Sequence, residues 1–292
     1  MKRLIVNADD FGITRGVNRG ILRCYQDGIV TSTTIMANGD AFEDAVELAR
    51  ANPGLGVGVH LVLVGGCAVA RREEISSLAD ENGQLPPTLS SLIRKCNLGR
   101  VPARQIECEL RAQIERVRSA GITPTHLDTH KHAHMDPWIM KALTRVAGEC
   151  GISRVRMPFE DISSAFGPVG GNGGGSIARR LFVVASLMSY PAFRYFVRRS
   201  QMHSPDHFFG FVVTGRLDGD TLLRILRHLP EGTSELMCHP GINDSDLQKQ
   251  GTRLMAQRET ELNALIDPSA RKAISERGVR IISYRDLNQG NG

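Results

Sequence analysis

The N-terminal half of the chain alternates between two hydrophobic periods, and that alternation limits the folds open to it. Leu4-Ile5-Val6, Ile29 to Met36 (IVTSTTIM) and Leu55 to Val64 (LGVGVHLVLV) are β-branched or continuously apolar runs. This is the pattern of strands buried on both faces. Between them, apolar residues recur at helical spacing: Val17, Ile21 and Tyr25 behind a capping Thr14, then Phe42, Val46 and Ala49. Strand–helix alternation predicts a parallel sheet or barrel. The first expected strand runs straight into Asp9-Asp10, with Gly12 just beyond. Strand ends of this kind are where α/β sheets and barrels place their ligands. Adjacent acids on a strand point to opposite faces, so one is expected to bind a metal and the other to move a proton.

The rest of the chain continues the pattern less regularly. Gly65 to Pro87 reads as a long loop over one end of the sheet, and loops of that length are more often functional than idle. A helix follows from about Ala103 to Ala120, with Ile106, Leu110, Ile114 and Val117 as its buried stripe. Four of the nine histidines then crowd into Thr123 to His134. Pro124 and the neighbouring threonines favour an extended backbone, which would place His126, Asp128 and His130 on one side, about 6.5–7 Å apart. Pro137 opens a helix, and Gly151 to Pro158 reads as a short strand. Later strands are expected at Phe208–Thr214, at Glu235–Cys238 with His239 at its end, and at Val279–Ser283, separated by helices over Leu217–Leu229, Thr252–Leu265 and Pro268–Arg277. These segments predict one domain over 1–292 with a loosely patterned insertion at about 160–206. Within the insertion, Gly167 to Ser176 has a linker's composition. Leu181 to Met188 (LFVVASLM), beside Arg179-Arg180 and Arg194, is too short for a membrane span. It is read first as a core helix, and otherwise as an amphipathic element touching lipid or an oligomer partner such as a second copy.

Composition narrows the function classes. Hydrophobic residues make up 41% and charged residues 23%, which excludes a disordered chain. The formal charge of +5 is mild for 292 residues, and no Lys/Arg run is interleaved with aromatics, so nucleic acid is not the expected partner. The six cysteines are scattered without a C-x-x-C pair, so they form neither a disulfide framework nor a zinc ribbon. No apolar run near the N-terminus is long enough for a signal peptide, and a cytoplasmic protein is expected.

The polar residues that end or interrupt apolar strands are Asp9, Asp10, His60, the cluster His126 to His134, Arg156 and His239. Each has an ordinary structural alternative. His60 alone suits a hydrogen-bonded core histidine, Asp9-Asp10 suits a helix cap, and His239 before Pro240 suits the end of a strand. Together they fall at strand termini that a parallel sheet or barrel would gather on one face. One aspartate with several histidines is the composition of a catalytic metal site with open water positions.

These residues also carry a resemblance. Asn7-Ala8-Asp9-Asp10-Phe11-Gly12, Gly28 to Thr33, Val57-Gly58-Val59-His60-Leu61, Pro124 to His130 and Met237-Cys238-His239-Pro240 resemble, in the same order, the YdjC/ChbG family of carbohydrate deacetylases. The resemblance implies an α/β fold, an irregular (β/α) barrel of the polysaccharide-deacetylase-like type. It implies a hydrolase that removes N-acetyl groups from amino sugars with one divalent metal ion. Carried over position by position, it makes Asp10, His60 and His130 the metal ligands, Asp9 the general base and His239 the general acid. His126, Asp128, His132, His134 and Arg156 are candidates for supporting those groups or touching substrate, with Arg156 orienting Asp9 or holding a sugar oxygen. Two imidazoles and a carboxylate suit Zn²⁺, Co²⁺ or Ni²⁺, whereas the family is described with Mg²⁺, so the ion stays open. A hopanoid-associated subgroup of the family acts on a glycosylated lipid, and the Leu181–Met188 run would suit a glycolipid substrate and peripheral membrane contact. The rival readings are a metal-dependent phosphoesterase on a similar barrel and a non-catalytic sugar-binding relative.

Overall fold

Every strand pair in the computed structural model is parallel, as strand–helix alternation requires. The structure describes residues 1–162, 166–167 and 177–287. The strands are β1 (Lys2–Phe11), β2 (Ser32–Ile35), β3 (Gly56–Leu61), β4 (Leu127–Thr129), β5 (His207–Phe209), β6 (Gly232–Cys238) and β7 (Arg280–Ile281). Their spatial order is β4-β3-β2-β1-β6-β5, and β7 pairs with β1 near its start, at Arg3 and Leu4. Residues 153–156 bridge the two edges. Arg156 N–H donates to the Leu127 carbonyl (3.0 Å), and Val155 N–H donates to that of His203, just before β5 (2.9 Å). The sheet thereby curls into an irregular barrel.

Helices lie between the strands in sequence: α1 (Arg15–Gln26), α2 (Phe42–Ala51), α3 (Leu89–Asn97), α4 (Ala103–Ser119), α5 (Pro137–Glu149), α6 (Ile177–Ser186), α7 (Tyr190–Arg199), α8 (Gly219–Arg227), α9 (Ser245–Lys249), α10 (Ala256–Ile266) and α11 (Pro268–Glu276). Thr14 caps α1 through the Val17 N–H (3.2 Å). Period-two alternation sorts the strands' two sides. Leu4, Val6 and Ala8 of β1 join the main apolar core with residues of the helices. The alternate residues Asn7 and Asp9, with Thr34 of β2, His60 of β3, Asp128 of β4 and Glu235 of β6, form a buried polar network. Ile5, Ile282, Tyr284 and Leu287 form a small separate apolar cluster.

Several expected elements are shorter than the sequence suggests, each for a local reason. β3 stops at Leu61 because the Gln113 side chain takes the Val62 N–H (2.8 Å) and donates to the Val62 carbonyl (2.6 Å), replacing a strand partner. β5 stops at Phe209 because the Glu160 carboxylate accepts the N–H groups of Gly210, Phe211 and Val212 (2.7, 3.1 and 2.9 Å). Gly151–Pro158 makes isolated bridges rather than a strand. The extended run holding His126 and Asp128 ends at Thr129. His130 to Met135 turns into a 3₁₀ segment with Lys131 and His132 at φ +54° and +53°, so His130 does not share the strand with Asp128. Helix α3, with a capping box between Thr88 and Ser91, was not anticipated. The core reading of Leu181–Met188 is overturned: Val183 is buried, but Leu181, Phe182, Val184 and Met188 are exposed. Apart from Gly167, the Gly167–Ser176 linker lies outside the described residues. Among the described residues no helix is long and apolar enough to cross a membrane.

Candidate metal centre and its surroundings

The two adjacent aspartates do not alternate as a regular strand would have them. Asp10 sits at φ +68°, and the pairing register of β1 with β2 shifts between Ala8 and Phe11. A left-handed residue at that point is costly for anything but glycine and is held only by its surroundings. Its effect is to bring both carboxylates within 4.8 Å of a His60 ring nitrogen, which corrects the opposite-face expectation.

Asp10 Oδ1, His60 Nε2 and His130 Nδ1 form a triangle. The aspartate oxygen lies 3.6 Å from each nitrogen, and the nitrogens are 3.3 Å apart. Three ligand atoms about 2.0–2.1 Å from one ion at tetrahedral angles would be about 3.4 Å apart. Asp10 Oδ1 is buried and has no hydrogen-bond partner among the described residues. An unpaired carboxylate oxygen facing two imidazole nitrogens is a cation-binding arrangement. The other Asp10 oxygen accepts from Arg258 Nη2 (2.6 Å). Burial pushes the Asp10 carboxyl up, but Arg258, with His130 and His239, holds it well below the usual carboxylate range.

The residues around the triangle fix its orientation. His60 Nδ1–H donates to Asp128 Oδ1 (2.7 Å), which aims Nε2 at Asp10 and His130. Burial lowers His60, but Asp128 outweighs it and lifts the ring to about 9. Thr34 donates to the second Asp128 oxygen (3.1 Å). Arg156 is fully buried and gathers three carboxylates: Asp9 bidentately (2.6 and 2.7 Å), Asp128 (2.6 Å) and Glu235 (2.8 Å). The bidentate pair fits the first of its two expected roles, the orientation of Asp9. Burial pushes Glu235 up to about 7, against Arg156 and the Tyr284 hydroxyl that donates to it.

Asp9 is further held by Asn7 Nδ2 (3.0 Å), and its Oδ2 lies 3.9 Å from His239 Nε2. The His239 ring is partly exposed at 12%, and burial pulls it down to about 4. The remaining histidines stand apart from the triangle. His126 stacks on Tyr284 with ring centres 3.6 Å apart. Thr129 and the Arg156 carbonyl hold His134. His132 packs against Phe208 and Phe211. His126 and His134 are fully buried, which fits a supporting role.

The model of the YdjC-like protein family matches residues 3–276. The chain belongs to the YdjC-like family. A carbohydrate deacetylase of Geobacillus stearothermophilus is 36% identical over 286 residues, covering 97% of each chain. A chitooligosaccharide deacetylase of Escherichia fergusonii is 33% identical, covering 97% of this chain and 98% of its own. Among solved structures, a YdjC-like fold is shared with an Enterococcus faecalis protein described as a candidate for cellobiose-phosphate cleavage. It has a TM-score of 0.78 and 27% identity, and 98% of each chain is covered.

Sequence reading missed several members of the YdjC-like site. Arg258 and Glu261 lie one helical turn apart on α10, both nearly fully buried. Arg258 binds Asp10, and Glu261 accepts the His239 N–H (2.6 Å) and the Gly215 N–H (3.0 Å). Charged residues dominate the surface of most helices, so nothing marked these two. Glu235 did carry a signal, as a lone carboxylate inside an apolar strand.

Proposed function

We propose that the protein is a metal-dependent carbohydrate deacetylase that hydrolyses the N-acetyl amide of an amino sugar. The observation that carries this reading is the Asp10–His60–His130 triangle, with its orphaned carboxylate oxygen, beside the Asp9–His239 pair. The deacetylase names of relatives at 36% and 33% identity point the same way. Charge supports a cation too. Among the described residues, Asp9, Asp10, Asp128 and Glu235 face two buried guanidiniums, Arg156 and Arg258. With all four ionised and His60 neutral, as a metal ligand must be, the cluster carries two uncompensated negative charges, the complement of a divalent ion.

Asp10, His60 and His130 would hold that ion. Bound there, a divalent cation acidifies water and draws electron density from the acetyl carbonyl. The protein supplies the proton transfers. Asp9, clamped by Arg156 and Asn7, presents its carboxylate as the base that takes the proton of the attacking water. His239 Nε2, on the same side at 3.9 Å from Asp9 Oδ2, is neutral by its lowered pKa and would relay to the sugar nitrogen, as the C–N bond breaks, the proton that Asp9 takes from the water. The products are acetate and a free amine. Glu261 fixes the His239 backbone and so sets where that proton is delivered.

Mass spectrometry of chito-oligosaccharides tests the proposal, with enzyme stripped by chelator and reloaded with Zn²⁺, Mg²⁺, Co²⁺ or Ni²⁺. Loss of acetyl groups only after reloading is expected. Asp9→Asn is expected to lower the rate by about 10²–10⁴-fold while metal content stays unchanged. Turnover of phosphate esters or a phosphorylated disaccharide, with no acetyl loss from any amino sugar, would replace this reading with the phosphoesterase one.

A further inference from the structure

Helix α6 turns its apolar stripe toward solvent. Ile177, Leu181 and Val184 follow one another at intervals of four and three residues, which places them on one face, and Met188 follows in the 3₁₀ turn Leu187–Ser189 just past the helix. They are 77%, 60%, 41% and 86% exposed. The opposite side fastens the helix to the body: Val183 packs on Val212, and Arg179 donates to the Val212 and Thr214 carbonyls (3.0 and 2.9 Å). An amphipathic helix normally buries such a stripe, and α6 presents it outward while anchored by its other face.

Along the sequence, the charged residues flanking the stripe have one sign. Between Asp161 and Asp206 the sequence has no Asp or Glu and contains Arg179, Arg180, Arg194, Arg198 and Arg199. Two residues beyond Met188, α7 begins, and a cavity of about 830 Å³ is lined by Tyr190, Arg194, Tyr195, Arg198 and Arg199, with Pro191. Tyrosine and arginine are the residues of membrane–water interfaces, with the ring at headgroup depth and the guanidinium on phosphate. Two copies meeting through this face by a two-fold axis would set its arginines against one another, because such an interface is self-complementary. Complementary charge therefore lies on an anionic surface rather than on a second copy.

The helix also touches the rim of the candidate site. Phe182 of α6 stacks on Phe211, with ring centres 5.3 Å apart, and Phe211 lies 5.4 Å from His132, two residues after His130. We propose that the α6 stripe and the α7 arginines form a docking face for an anionic lipid bilayer, with the stripe in the acyl boundary and the guanidiniums on headgroup phosphates. Docked in this way, the rim at Phe211 and His132 lies beside the membrane surface. The proposal concerns surface physics and stands apart from the reaction assigned above.

Flotation of the full chain with vesicles tests it. Phosphatidylcholine vesicles are compared with vesicles containing one-third phosphatidylglycerol, at low and at physiological salt. Binding to the anionic vesicles only, weakened by salt, is expected. Leu181→Glu with Met188→Glu, both at solvent-exposed positions, should reduce that binding at least about tenfold. Arg194→Gln with Arg198→Gln should reduce it comparably. Both double variants should keep the wild-type circular dichroism and the wild-type rate on soluble substrate. Equal binding to neutral and anionic vesicles would overturn the proposal, and so would no binding to either. A dimer in solution that Leu181→Glu with Met188→Glu dissociates would also overturn it, assigning the stripe to a second copy.

Discussion

Arg156 has three carboxylates within 2.8 Å and no exposure to solvent. One guanidinium cannot neutralise three charges, and that shortage sets the behaviour of Glu235, the member that burial pushes up to about 7. A carboxyl raised in the folded state binds a proton that the unfolded chain has already lost. Its contribution to stability is therefore complete below the unfolded value near 4.5 and disappears as pH rises through about 7. Glu235→Gln removes this dependence. In chelator, the melting temperature of wild type relative to Glu235→Gln should be highest near pH 5 and fall steadily to pH 8, as followed by circular dichroism. A difference that is flat over this range would show Glu235 ionised throughout. At the same scale, Asp10 shows what sequence cannot give: no pattern marks a non-glycine residue at φ +68°, so the joint approach of Asp9 and Asp10 to His60 was hidden although both acids stood out.

Helix α10 reaches the site from outside the barrel and carries two of its controls. Arg258 pairs with Asp10, and Glu261 holds the His239 backbone N–H. Glu261→Gln keeps the shape but puts an amide where both backbone donors need an acceptor. Because His239 would shift without losing its ring, kcat should fall about tenfold to a hundredfold with KM nearly unchanged. Glu261→Asp should recover less than a full carboxylate reach allows. An equal loss in Glu261→Gln and Glu261→Ala, with a raised KM, would mark a general disturbance of the loop. Elements of this kind explain the division between what was legible and what was not. Strands β1, β2, β3 and β6 and most helices follow hydrophobic period, which is local. Their ends follow side chains from elsewhere: Gln113 ends β3, and Glu160 ends β5. Gly58 is a further case. A Cβ there would lie 2.5 Å from the His126 ring, a close approach that only the assembled β3–β4 pair reveals.

At the scale of the whole molecule, the barrel has an apolar outer side against the helices and a charged interior around Arg156. A divalent ion at the proposed site would then add to the stability of the fold as well as to the proposed chemistry, by offsetting the carboxylates of the interior. Adding the ion at about 100 times its dissociation constant should stabilise the protein by about 2.7 kcal/mol, or roughly 5 °C in melting temperature. Asp10→Ala should show no such response in differential scanning calorimetry. Equal melting curves with and without metal in wild type would mean that the interior is neutralised by protons instead.

The first strand has another consequence, for the order of events in biosynthesis. Along one edge, from Lys2 to Ala8, β1 pairs with β6, and Lys2 lies opposite Gly232. At roughly 5–20 residues per second, a ribosome needs about 12–46 s to make that partner. For all of that interval a strand carrying the apolar run Leu4-Ile5-Val6 and both aspartates has one open edge, the kind of segment that recruits neighbouring chains. A nascent chain of this topology keeps that edge open to misassociation until the sixth strand arrives.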